Sequence, residues 1–286
     1  MSEQTKSVVI DSDSLPRGFL EPATDRSTIE WEVTDDGIGI IRLNRPDKLN
    51  AFDERMIREM RTLVWKANFD DKIRVLIITG NGRAFCAGRD IRGLDYENNL
   101  TTGQYRAYVR ANHELFDDIE NIEKPVIAAI NGICAGGGVE MAIACDFRFA
   151  SPAASFLLPE NQLGVIPASG ACSRMIQMIG IGRLKEMVIA VEPVSAEKAE
   201  RIGLVNDVFA ADELMDKTLA FARRLLTKAP QAMGMAKHII NICQNVDTET
   251  GRILERLGQS VLIRTEDNKE GMNAFQQKRT PQFKGR

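Results

Sequence analysis

Pro125-Val126-Ile127-Ala128-Ala129-Ile130-Asn131-Gly132-Ile133-Cys134-Ala135-Gly136-Gly137-Gly138-Val139-Glu140-Met141-Ala142-Ile143-Ala144-Cys145 is the stretch that decides the fold. Residues 125–130 are an unbroken apolar run, the pattern of a strand covered on both faces. Three glycines then open a second apolar run, 137–145, which reads as a buried helix. Strand, glycine turn and helix in that order is the unit of an α/β core with parallel pairing. One acid, Glu140, enters the apolar helix in its first turn. Glutamate is seldom buried unpaired, so its place there calls for a reason.

Upstream, residues 28–33 alternate polar and apolar side chains, Asp35-Asp36-Gly37 is a turn, and 38–43 form a second strand, giving a hairpin. Met56, Ile57, Met60, Leu63 and Val64 fall at helical spacing within 53–66, and 74–79 is a β-branched run suited to a buried parallel strand. Residues 113–122 are helical. Beyond Ala210 the character changes: 213–226, 230–241, 248–263 and 266–277 read as helices with no strand between them. The expected organisation is an N-terminal extension over 1–27, an α/β core with the active site over 28–209, and a helical region over 210–286. The apolar faces of that last region need the core or another subunit as partner. The extension carries Glu3, Asp11, Asp13, Glu21 and Asp25 and has neither an apolar h-region nor an Arg-rich amphipathic pattern. It reads as a flexible or surface-lying extension, not as a secretory or transit peptide.

A chain of 286 residues is long enough to bury a sizeable core. Its formal charge of −3 gives no global reason for nucleic acid or an anionic membrane as partner. No run reaches the ~18 apolar residues of a membrane span. Cys86, Cys134, Cys145, Cys172 and Cys243 are odd in number and lack CxxC spacing. That argues against a disulfide framework or a zinc cluster and for reduced thiols in a cytoplasm. No GxGxxG follows a strand and no residue set has ligand spacing, so neither a metal nor a redox cofactor is expected. The only histidines, His113 and His238, lie in helix-like stretches, which leaves a Ser-His-Asp triad poorly supported.

Two more motifs accompany the first. Phe156-Leu157-Leu158-Pro159-Glu160-Asn161-Gln162-Leu163-Gly164 carries a second acid, and Ala84-Phe85-Cys86-Ala87-Gly88-Arg89-Asp90-Ile91 a second glycine turn. Proton transfer beside a carbonyl needs backbone donors for the developing oxyanion and carboxylates to move protons. Each motif alone has a plainer reading: the glycines as a tight turn or helix contact, Glu160 as a first-turn helix acid. Their joint occurrence favours chemistry. Asp90 reads as a helix cap and Asp146 as a turn anchor. Met175, Met178, Met187, Met233 and Met235 read as core filler. Arg55, Arg58 and Arg61 alternate with Asp53, Glu54 and Glu59, the pattern of a solvated helix face.

At these motifs the chain resembles the crotonase superfamily, and within it the enoyl-CoA hydratases. The resemblance begins at Ile29 and rests on Asn44-Arg45-Pro46 with Leu49-Asn50-Ala51, Ala87-Gly88 with Asp90-Ile91, Lys124-Pro125, Gly136-Gly137-Gly138 with Glu140, Pro159-Glu160, Gly203-Leu204-Val205, and Glu270-Gly271-Met272 with Phe275. It implies an α/β fold, a crotonase-like spiral of ββα units with a C-terminal helical trimerisation region. A homotrimer, or a hexamer built as a dimer of trimers, follows from the same resemblance. It implies acyl-CoA thioesters as substrates, CoA being part of the substrate and not a cofactor. It gives Glu140 and Glu160 the catalytic roles and the backbone N–H groups of Arg89 and Gly137 the oxyanion hole. Ala87, Asp90, Ile91, Gly136 and Lys278 would bind substrate. The Arg89 side chain would lie over the CoA phosphates or face solvent.

The implied reaction is reversible hydration of a 2-enoyl-CoA. Glu140, at a helix N-terminus whose dipole favours the charged form, is expected to be the base toward water, and Glu160 the acid toward the α-carbon. The alternatives are double-bond isomerisation, which one shuttling carboxylate can perform, and a non-catalytic CoA- or RNA-binding homologue. Pro167-Ala168-Ser169-Gly170-Ala171 departs from the Pro-Gly-x-Gly-Gly of many relatives. The methyl groups of Ala168 and Ala171 put the acyl group in question.

Overall fold

The computed structural model describes residues 27–91 and 99–286. Apart from Ser27, the expected N-terminal extension lies outside the described residues. β1 (Ile29–Val33) and β2 (Ile38–Leu43) form the antiparallel hairpin. α1 (Glu54–Phe69) follows, capped by Asp53, whose side chain accepts from the Met56 N–H at 2.9 Å. The chain then repeats one unit: a strand in a large sheet, a short strand in a small sheet, and a helix. The units are β3 (Val75–Gly80), β4 (Ala84–Cys86) and α2 (Thr102–Asn121); β5 (Val126–Ile130), β6 (Ile133–Ala135) and α3 (Gly137–Ala144); β7 (Phe147–Ala150), β8 (Ser155–Leu157) and α4 (Ala171–Val188). β9 (Val194–Ser195), α5 (Ala196–Arg201) and β10 (Asp207–Val208) close the core. The large sheet has the order β1-β2-β3-β5-β7-β10, parallel from β2 onward; the small sheet runs β4-β6-β8-β9. This is the spiral of ββα units that the resemblance implied.

The central strands read as unbroken apolar runs because both faces of the large sheet are covered. Side chains alternate with a period of two. Ile41, Leu43, Leu76, Ile78, Val126 and Ala128 enter the main core with α1, α2 and α3. Ile38, Ile40, Val75, Ile77, Ile127, Ala129 and Phe149 point the other way, and α6 (Leu214–Leu226) covers them with Leu214 and Ala222. Each Val, Ile, Leu or Phe among them, fully buried, stabilises the fold by about 1.5–3 kcal/mol. The first helix of the expected tail thus packs on the core. α7 (Pro230–Cys243), α8 (Thr248–Leu262) and α9 (Glu266–Gln276) follow, leaving Ile240, Leu257, Val261 and Phe275 exposed. Among the described residues no helix is long and apolar enough to cross a membrane.

Candidate active site

Each glycine of the triplet is required for a different reason. Gly136 has φ +51°, a conformation that disfavours side chains. A Cβ on Gly137 would stand 2.5 Å from Phe52 Cζ, and one on Gly138 would stand 2.2 Å from the Cys86 carbonyl oxygen. These contacts press the start of α3 against β4 and place Glu140 in the first helical turn, 4% exposed. Its Oε1 accepts from the Ser169 N–H at 2.6 Å and the Ala171 N–H at 3.2 Å. Burial pushes the Glu140 pKa up, opposed by those two bonds. The sequence reading had the helix dipole favouring the charged form; the net shift is upward, and desolvation is its largest cause.

Glu160 opens a single 3-10 turn, Glu160–Leu163, after Pro159, and Gly164 closes that turn at φ +74°. Its Oε1 lies against Gly136, 2.9 Å from the place a Cβ would occupy there. Its Oε2 is buried without a hydrogen-bond partner. Burial, and then the charge of Glu140, push its pKa up to about 7. Both carboxylates line one cavity of about 640 Å³, together with Ala87, Arg89, Asp90, Ile91, Gly136 and Gly137.

The second glycine turn reaches the same point from β4. Gly88 has φ +90°, and a Cβ there would meet the Gly137 nitrogen at 3.1 Å and the Ala135 oxygen at 2.8 Å. The Phe52 N–H donates to the Gly88 carbonyl at 2.8 Å, and the Asp90 N–H to the Phe52 carbonyl at 2.9 Å. Phe52 therefore pairs in parallel with Arg89, whose own N–H faces away from Phe52. Gly137 is the first helical residue of α3, so its N–H has no acceptor within the helix. Two backbone loops thus meet where the expected oxyanion donors belong.

Other expected residues have different surroundings. The Arg89 guanidinium donates to Glu54 at 3.0 Å and to the Tyr108 hydroxyl, and stacks on the Tyr108 ring at 5.0 Å. These contacts leave the side chain part-buried, 23% exposed, at the cavity wall. Asp90 accepts from Arg45 at 2.9 Å, which makes it an ion-pair partner at the cavity wall. Lys278 is exposed just past α9 and is not among the cavity's lining residues. Asp146 accepts from the Val126 N–H at 2.7 Å and from Lys237 at 2.9 Å, an anchor between β5 and α7. Arg55 pairs with Glu59 and Arg61 with Glu114, so neighbouring acids neutralise these arginines, and the Arg55 and Glu59 side chains are 24% and 26% exposed. Burial pushes the thiols of Cys86 and Cys145 up to about 12, which leaves them unreactive.

Sequence reading missed one wall of the cavity. Tyr105, Val109, His113 and Phe116, on one face of α2, all line it. The signal was the capping box Thr101-x-x-Gln104, which starts the helix well before residue 113. His113 is half-buried, and desolvation holds its pKa down.

Residues 33–286 match the sequence profile of the enoyl-CoA hydratase/isomerase family. A crotonyl-CoA hydratase of Syntrophomonas wolfei is 36% identical over 247 residues, which span 86% of this chain and 94% of that protein. A 2,3-dehydroadipyl-CoA hydratase of Escherichia coli is 36% identical over 248 residues, spanning 86% and 95%. A crystal structure of enoyl-CoA hydratase from Bacillus anthracis matches with a TM-score of 0.85 at 35% identity, covering 91% of this chain and all of that one.

Proposed function

The chain belongs to the enoyl-CoA hydratase/isomerase family, and on that premise we propose that it is a hydro-lyase adding water reversibly to a 2-enoyl-CoA thioester. The thioester carbonyl binds where the loops of Gly88 and Gly136-Gly137 meet. The Arg89 and Gly137 N–H groups hold the oxygen as enolate charge develops, each worth roughly 3 kcal/mol in holes of this kind. Glu140, steadied by two N–H bonds, takes the proton from water. Glu160 delivers a proton to the α-carbon. Ala87, Ile91 and Gly136 line the path of the thioester, and Lys278 is assigned to the CoA nucleotide by resemblance alone.

One observation carries this reading: two carboxylates with unlike hydrogen bonding share one cavity. An isomerase needs one shuttling carboxylate; a second beside it supports water addition. The test is incubation with crotonyl-CoA, followed by its enoyl ultraviolet absorbance and by product analysis. Loss of absorbance with formation of the 3-hydroxyacyl thioester, cut to a small but measurable residual rate in both Glu140→Gln and Glu160→Gln, is expected. Turnover of a 3-enoyl-CoA without water uptake would favour isomerisation.

The reading calls for no cofactor beyond the substrate's own CoA. It extends to a trimer or a dimer of trimers, supported by the apolar side chains exposed on α7, α8 and α9. It also extends to a cytoplasmic setting, supported by the free thiols of Cys86, Cys134, Cys145, Cys172 and Cys243. Light scattering on the purified protein tests the first and cell fractionation the second.

A further inference from the structure

The two N–H groups that grip Glu140 belong to Ser169-Gly170-Ala171, and one side chain braces that turn. Arg174, in the first turns of α4, donates from Nη1 to the Ser169 carbonyl at 3.0 Å. Its guanidinium lies against Gly170, which has φ +116°; a Cβ there would stand 1.9 Å from Nη1. The rest of the guanidinium is anchored on α2. Nε and Nη2 both donate to Glu120 Oε2, at 3.0 and 2.6 Å, and Nη2 reaches Asp117 Oδ1 at 2.8 Å. Only 14% of the Arg174 side chain is exposed; the bonds to Glu120 are the better shielded ones, since the Asp117 side chain is 55% exposed and that of Glu120 28%. Arg174 does not line the cavity of the two glutamates. Both of these N–H bonds fall on Glu140 Oε1, and Glu140 lines that cavity.

We propose that Arg174 is a positioning residue for hydration: braced by Asp117 and Glu120, it fixes the Ser169-Gly170-Ala171 turn so that both N–H groups hold Glu140 Oε1 and leave Oε2 to meet water. The inference rests on the hydratase reading above. A planar fork is what the task requires, because one group must reach a carbonyl on one side and two carboxylates on the other. The arginine charge acts in the same direction, favouring ionised Glu140.

The test uses the full chain and crotonyl-CoA across pH, with circular dichroism on every variant. Arg174→Gln is expected to lower kcat on the order of 100-fold, the cost of misplacing a catalytic group by about an ångström, with KM within about twofold. Its acid limb moves to higher pH as Glu140 loses a neighbouring positive charge. Arg174→Lys keeps the charge without the fork, so the limb stays in place while kcat falls by roughly tenfold. In a Glu140→Gln background, Arg174→Gln costs little more, since no carboxylate remains to position. Equal losses with and without the Glu140 carboxylate overturn the proposal, as does full kcat in folded Arg174→Gln. Should Arg174→Gln not fold, Glu120→Gln loosens the brace while keeping the arginine, and the same comparison applies with a smaller loss. A wild-type protein that does not hydrate crotonyl-CoA refutes the hydratase reading itself, whatever the variants do.

Discussion

Glu160 Oε1 rests on Gly136 so closely that a Cβ on that glycine would stand 2.9 Å from it. The first glycine of the triplet and the second acid are one unit, although 24 positions separate them in the chain (160 − 136). Gly136→Ala adds a methyl group at the acid and forces a side chain onto φ +51°. The expected stability loss is about 1–3 kcal/mol, the cost of a sparsely populated backbone conformation. The expected fall in kcat is on the order of 100-fold, because Glu160 must move to make room. Urea denaturation and steady-state kinetics on the same preparation check both; full kcat would show that the contact does not hold the acid in place.

Glu160 must keep its proton to act as an acid, and its pKa is raised from 4.5 to about 7. The kcat/KM profile is therefore expected to fall as pH rises through about 7. The same shift has a stability consequence. The folded protein binds this proton more tightly than the unfolded chain, so the stabilisation is complete below the unfolded value and is lost as pH rises through the folded one. Glu160→Gln removes that dependence. Its melting temperature relative to wild type is expected to be higher at pH ~8 than at pH ~5. Differential scanning at the two pH values tests this, and an unchanging difference would contradict a raised pKa.

The hairpin, α1, β3 and β5 were legible because each carries a period or an unbroken apolar run; β7 and β10 of the same sheet, four and two residues long, were not read. β4, β6 and β8 were not, because strands of three residues show no period to read. The start of α2 was hidden by its polar first turns, although its capping box was present. At the site, Glu140, Glu160 and the two glycine turns were visible as motifs. The sign of the Glu140 shift was not, since sequence gives the helix end but not the burial around it. The brace at Arg174 was invisible for another reason: Asp117, Glu120 and Ser169 come together only when α2 and α4 pack.

Asp146 is an acid whose contacts make it structural. Its Oδ2 takes the Val126 N–H and the Lys237 ammonium, and the lysine side chain is 7% exposed. Asp146→Ala leaves a buried ammonium without its counter-charge, which costs about 3–5 kcal/mol. The molecules that remain folded should keep wild-type kcat, since Asp146 does not line the cavity. Chemical denaturation together with active-site-normalised kinetics separates the two effects. A fall in kcat at unchanged stability would give Asp146 a part in the reaction and contradict this structural reading.

Ala168, where the resemblance led to the expectation of glycine, lines the cavity beside Val165, Ile166 and Ser169. A methyl group in an apolar wall sets how much acyl group fits, and one methylene there is worth about 1–3 kcal/mol of discrimination. Ala168→Val should therefore lower kcat/KM for a medium-chain 2-enoyl-CoA by roughly tenfold more than for crotonyl-CoA, and Ala168→Gly should move the ratio the other way. The carboxylates and oxyanion loops are untouched, so kcat for crotonyl-CoA should stay near wild type in both variants. A panel of thioesters of increasing length reads the ratio directly. Equal effects on short and long substrates would mean that the acyl group leaves the cavity by another wall, and the α2 face of Tyr105, Val109, His113 and Phe116 would be the next to vary.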